Sequence, residues 1–100
     1  MDVIFKSLDL QEILAKVNQN LRKSPLNKMV HLTLDENQLI MTVSKLGKSR
    51  IYMEVLQWES ETRFTVKRED IRPQHKPLRP FVVDSICNVL EQSGGTVKDR

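Results

Sequence analysis

Over residues 30–43, and again over 50–66, apolar and polar side chains alternate with a period of two, whereas each end of the chain carries apolar residues at helical spacing. The pattern predicts an α+β fold: a four-stranded antiparallel meander with an N-terminal and a C-terminal amphipathic helix packed on one face. The first strand is expected at 29–34, with Val30, Leu32 and Leu34 on one side. Asp35-Glu36-Asn37-Gln38 closes a hairpin, and Leu39, Met41 and Val43 continue the apolar side on the second strand. After a turn at Lys45-Leu46-Gly47-Lys48, the third strand covers about 50–59 and the fourth about 62–67, separated by Ser60 and Glu61. Ile51, Met53, Val55, Phe64 and Val66 keep the same phase.

Leu10, Ile13, Leu14, Val17 and Leu21 form one stripe of a helix expected at 9–23. Asp9 with Glu12 three residues on has the form of a capping box, Ser7 being the other candidate cap, and Pro25 lies just past the helix end. Residues 3–5 read either as a short strand or as an apolar lead-in. At the other end, Val82, Val83, Ile86, Val89 and Leu90 predict a helix over 81–93, with Cys87 near the edge of its apolar side. Pro80 suits its first turn and Gly94-Gly95 stops it, which leaves 96–100 as a frayed tail. Between sheet and last helix, residues 69–80 hold Pro73, Pro77 and Pro80, so this stretch reads as an irregular crossing and not a fifth strand.

The third strand departs from one-sided alternation. Tyr52, Leu56 and Trp58 lie opposite its core side, where the second strand adds Ile40. A strand apolar on both faces is usually covered on both. The cover is the chain's own termini, a second subunit or an apolar ligand, and these four residues are the candidate interaction or ligand face.

A length of 100 residues suits one domain, and 39% hydrophobic with 29% charged residues suits a folded chain. No apolar run reaches the roughly 18 residues of a membrane span, and the first residues lack a signal-peptide pattern, so a cytoplasmic protein is expected. The lone Cys87 has no internal disulfide partner and reads as a packed thiol. The net charge of +3 is uneven: residues 1–44 balance five basic against five acidic side chains, but 45–80 carry nine basic and five acidic. Lys45, Lys48, Arg50, Arg68, Arg72, Lys76 and Arg79 form the candidate basic patch, either a solvated surface or an attraction for polyanions.

Catalytic and metal patterns are missing from the sequence. His31 and His75 stand apart from any His, Cys or Asp at ligand spacing, and three glycines supply no phosphate-cradling loop. The acidic pairs Asp35-Glu36 and Glu69-Asp70 fall in turns. No enzyme activity, cofactor or metal is expected.

An amphipathic helix, a meander, a proline-punctuated crossing and a last helix written Arg79-Pro80-Phe81-Val82-Val83-Asp84-Ser85-Ile86 resemble, in their order, tubular lipid-binding domains, in which long twisted strands and helices enclose an acyl chain. The resemblance implies an apolar ligand or a cavity built by a dimer, and assigns no binding residue. Three functions therefore compete. The leading one is a small non-enzymatic interaction module, pairing with itself as a homodimer or with another protein through its apolar sheet face or a sheet edge. The second is a lipid or amphiphile carrier. The third is a weak, non-specific nucleic-acid binder; sequence-specific recognition is not expected, because acidic residues lie among the basic ones and no helix or ribbon presents them to base edges.

Overall fold

The computed structural model describes residues 1–45 and 47–99. Among these the chain runs β1 (Asp2–Phe5), α1 (Leu10–Arg22), β2 (Val30–Asp35), β3 (Gln38–Val43), β4 (Ser49–Trp58), β5 (Glu61–Asp70), a 3-10 helix (Pro73–Leu78), α2 (Arg79–Gln92) and β6 (Thr96–Lys98). The fold is α+β, and β2 to β5 form the expected meander. The sheet itself has six strands among the described residues, in the order β2-β3-β4-β5-β1-β6, with every neighbouring pair antiparallel.

The two additional strands come from the chain's ends and correct the four-stranded reading. Val3 sits opposite Phe64 on one side and Val97 on the other, so residues 3–5 are an interior strand. A strand enclosed in this way is apolar throughout: Val3, Ile4 and Phe5 are all buried. Residues 96–98, expected to fray, are held by pairing to β1. Position 100 of that tail, and Leu46 in the expected turn at 45–48, lie outside the described residues.

Helix α1 begins where Asp9 accepts a hydrogen bond from the Glu12 backbone N–H at 3.1 Å. The reciprocal half of the capping box is replaced: the Asp9 N–H donates to Ser7 Oγ at 3.1 Å, while Glu12 pairs with Lys16 at 3.1 Å. Helix α2 starts two residues before the predicted 81, running directly out of the 3-10 helix. It ends at Gly94, whose φ of +99° lies in the left-handed region. Gly95 is needed for a different reason. A Cβ there would stand 2.9 Å from the Phe5 ring and 3.0 Å from the Leu90 carbonyl, so only glycine lets the chain pass this close to β1 on its way into β6.

Both helices lie on one face. Ile13, Val17 and Leu21 of α1 and Val82, Ile86, Val89 and Leu90 of α2 pack over Val3, Phe5, Met41, Ile51, Met53 and Phe64. Phe5 meets Phe64 edge-on, with ring centroids 5.8 Å apart. Asn20 of α1 donates to Ser93 Oγ at 2.9 Å and ties the two helices together. Each fully buried aliphatic or aromatic side chain contributes about 1.5–3 kcal/mol, so this single layer carries the stability of the fold.

Strand β5 is longer than predicted and carries a bulge. Tyr52 pairs with Arg68 but Met53 with Val66, which leaves Lys67 as an extra residue. The bulge reverses the alternation: Thr62, Phe64 and Val66 point to the helices before it, Glu69 and then Ile71 after it. The strand thus continues through Glu69 and Asp70, the first residues of the predicted crossing. The rest of that crossing, from Pro73 to Leu78, is a 3-10 helix.

Candidate functional site

Residues directly opposite one another in a sheet share a face. The register therefore sets Thr33, Ile40, Tyr52 and Arg68 in one row of the outer face, and Leu56, Arg63, Ile4 and Thr96 in another. The four predicted residues Ile40, Tyr52, Leu56 and Trp58 do lie together there, on the side away from the helices. Ile40 and Tyr52 are half-buried, but Leu56 is 49% exposed and Trp58 is 79% exposed. Among the described residues the chain's termini do not cover them; they extend the sheet edgeways instead. The Arg68 guanidinium lies 4.1 Å from the centre of the Tyr52 ring, and Lys67 reaches Glu54 at 3.3 Å across the bulge. At the hairpin tip, Leu56, Trp58, Glu59, Glu61 and Arg63 border an open concavity of about 490 Å³.

The seven residues of the basic patch are divided by the fold. Lys45 and Lys48, in the β3–β4 connection, are brought to Arg72 and Lys76 by the 3-10 helix: Arg72 Nε donates to the Lys48 carbonyl at 3.3 Å. Arg50 stands beside them on the outer face, opposite Thr42 and Asp70. Among the described residues these five cations, all exposed, take part in no ion pair. Arg68 belongs to Tyr52. Arg79 is separate again, on the helix side, where Nε and Nη2 each donate to a Glu69 carboxylate oxygen at 3.0 Å. Those hydrogen bonds, with the carboxylate charge, raise the Arg79 pKa above its ordinary value.

The opposite end of the sheet is acidic. Asp35 and Glu36 lie at the β2–β3 turn, Glu59 and Glu61 at the β4–β5 turn, and all four are exposed. A hydrogen bond of 2.8 Å from the Val55 N–H to the Asn37 carbonyl lays the first turn alongside the second hairpin. Regional charge counts along the sequence missed this polarity, because each pole is assembled from separate turns.

The pair Ser49 and His75 was also unforeseen. Both are buried, at 1% and 4% exposure. His75 Nε2 donates to the Lys45 carbonyl, which can only accept, so Nδ1 is left to accept from the Ser49 hydroxyl. Ser49 Oγ in turn accepts the Arg72 N–H at 2.9 Å. A serine and a histidine in contact can form a nucleophile and base, but here each is consumed by main-chain partners and enclosed. The arrangement is a staple that fixes the 3-10 helix to the start of β4. Twenty-six positions of separation left no local signal for it.

Beneath α2 a crevice of about 300 Å³ is lined by Met1, Met41, Ile51, Val66, Val83 and Ile86, together with Glu69, Arg79 and Asp99. Among the described residues no group of three or more His, Cys, Asp or Glu is placed to hold a metal ion. Cys87 is fully buried in α2. No described helix is long and apolar enough to cross a membrane. No family model, curated protein or solved structure matches the chain.

Proposed function

We propose that the protein is a non-enzymatic interaction module that pairs with a second copy of itself through the outer face of its sheet. The observation that carries this reading is Trp58, 79% exposed on the same face as a 49% exposed Leu56. Tryptophan left in water at the end of a regular strand contributes nothing to the monomer, whereas burial of such a side chain at the centre of a contact is a frequent source of binding energy. Polar groups rim the patch: Glu59 and Glu61 at the tip, Arg63 and Lys67 beside it. Sedimentation or light scattering over a range of concentrations tests the proposal. A dimer that Trp58→Glu converts into a folded monomer is the expected result, and a wild-type chain that stays monomeric at high concentration rejects it.

A specific feature favours a second reading, amphiphile carriage. The crevice under α2 combines six apolar side chains with a polar rim of Glu69, Arg79 and Asp99, a lining suited to an apolar chain with a polar head. Native mass spectrometry of the purified protein reports this directly, because a carrier retains a bound amphiphile. The exposed cations around Lys45 and Arg72 support no more than weak, salt-sensitive binding of polyanions.

A further inference from the structure

We infer that two copies pair face to face with their β4–β5 hairpins antiparallel, so that the acidic tip of each lies over the basic end of the other. This rests on the self-association proposed above and adds its geometry. Along the outer side of β4 the order is Arg50, Tyr52, Glu54, Leu56, Trp58. Glu59 and Glu61 follow at the tip, and Lys45, Lys48 and Arg72 stand beyond the other end.

Ten residues of strand separate the poles by about 30 Å, several times the roughly 8 Å over which charges are screened at physiological salt. The poles therefore do not cancel within one copy. Stacking two outer faces with their hairpins parallel would set acid against acid and base against base. Turning one copy end for end sets each pole against its opposite.

A two-fold axis near Glu54, whose carboxylate is already paired with Lys67, then brings Leu56 over the partner's Tyr52 and Trp58 over the partner's Arg50. The first contact is apolar and the second is a cation on an indole face. Both occur twice, as an isologous interface requires. The central strands β3, β4, β5 and β1 span about 20 Å at their usual spacing, giving a contact on the order of 600 Å² per copy. That is at the low end for specific complexes, so the dimer forms in a concentration-dependent way and weakens as salt rises.

Charge exchange tests the geometry by sedimentation equilibrium. Glu59→Lys with Glu61→Lys, and separately Lys45→Glu with Lys48→Glu, each cancel most of the charge of one pole of a copy and leave the other pole intact. All four positions are exposed, and unchanged thermal melts will confirm that both variants fold. Each alone is expected to dimerise at least about tenfold more weakly than wild type. Mixed in equal amounts, they are expected to recover a one-to-one heterodimer. Variants that dimerise as well as wild type overturn the antiparallel arrangement while leaving self-association intact. Open chains longer than two overturn the closed two-fold. A wild-type monomer at every concentration removes both the geometry and the reading beneath it.

Discussion

Along β4 the residues facing the helices and those facing away follow opposite rules. Ile51 and Met53, on the helix side, are 6% and 3% exposed; Leu56 and Trp58, on the outer side, are 49% and 79% exposed. On the helix side these residues join the core packed beneath α1 and α2. The outer side ends in exposed apolar groups, ringed by charges segregated to opposite ends. Stability is thus concentrated on one face of the sheet, and the other is the face proposed for association.

Ile86→Asp gives the largest effect that can break this contrast. Ile86 is fully buried in α2, and an unpaired carboxylate there costs several kcal/mol, on the order of the whole stability of a small domain. The cooperative thermal melt should vanish; its survival would place the core elsewhere.

Less severe is His75→Ala, which strips partners from the Ser49 hydroxyl and the Lys45 carbonyl and should cost about 2 kcal/mol in denaturant unfolding. Combining it with Ser49→Ala should cost less than the two separately, since both remove one network. Additive losses would show that the staple is not a unit.

Arg79→Met should lower stability by no more than about 1 kcal/mol, because the ion pair with Glu69 is half in water. The Arg79 pKa is raised by folding, so its contribution is complete at any pH below the ordinary guanidinium value and is lost only as pH climbs through the raised one. Wild type and variant should therefore differ by a constant amount from neutral pH to mild alkali. A gap that opens or closes in that range would contradict the assignment.

Trp58→Glu sets the lower bound. Measured at a dilution where only monomer is present, its unfolding free energy should match wild type within about 0.5 kcal/mol. A loss comparable with that of a core substitution would mean that the outer face contributes to the fold after all.

What the sequence disclosed follows from where side-chain periodicity is long enough to read. Strands β2, β3 and most of β4 and β5 alternate over five or more residues, and their shared face was legible together with the anomaly of Tyr52, Leu56 and Trp58. β1 and β6 have four and three residues, too few to show a period, and β1 is apolar on both faces. Lys67 broke the phase of β5 at the point where the predicted strand stopped. The prolines at 73 and 77 excluded a strand but did not by themselves specify a 3-10 helix. The charge poles, the Ser49–His75 staple and the crevice beneath α2 all join residues distant in the chain, and no local pattern encodes such meetings.

The place of β1 in the sheet has a consequence for the order in which the fold is made. Its two partners lie roughly sixty and ninety residues downstream, whereas β2 to β5 are joined by short turns. Loop-closure entropy favours early formation of the local meander and late capture of the N-terminal strand. Val3, Ile4 and Phe5 then wait for cover until both of their distant partner strands are in place. Val3→Ala is accordingly expected to accelerate unfolding while leaving the refolding rate nearly unchanged in stopped-flow measurements. A refolding rate that falls in proportion to the lost stability would instead put β1 in the nucleus, making the strand with the most distant partners an early contact.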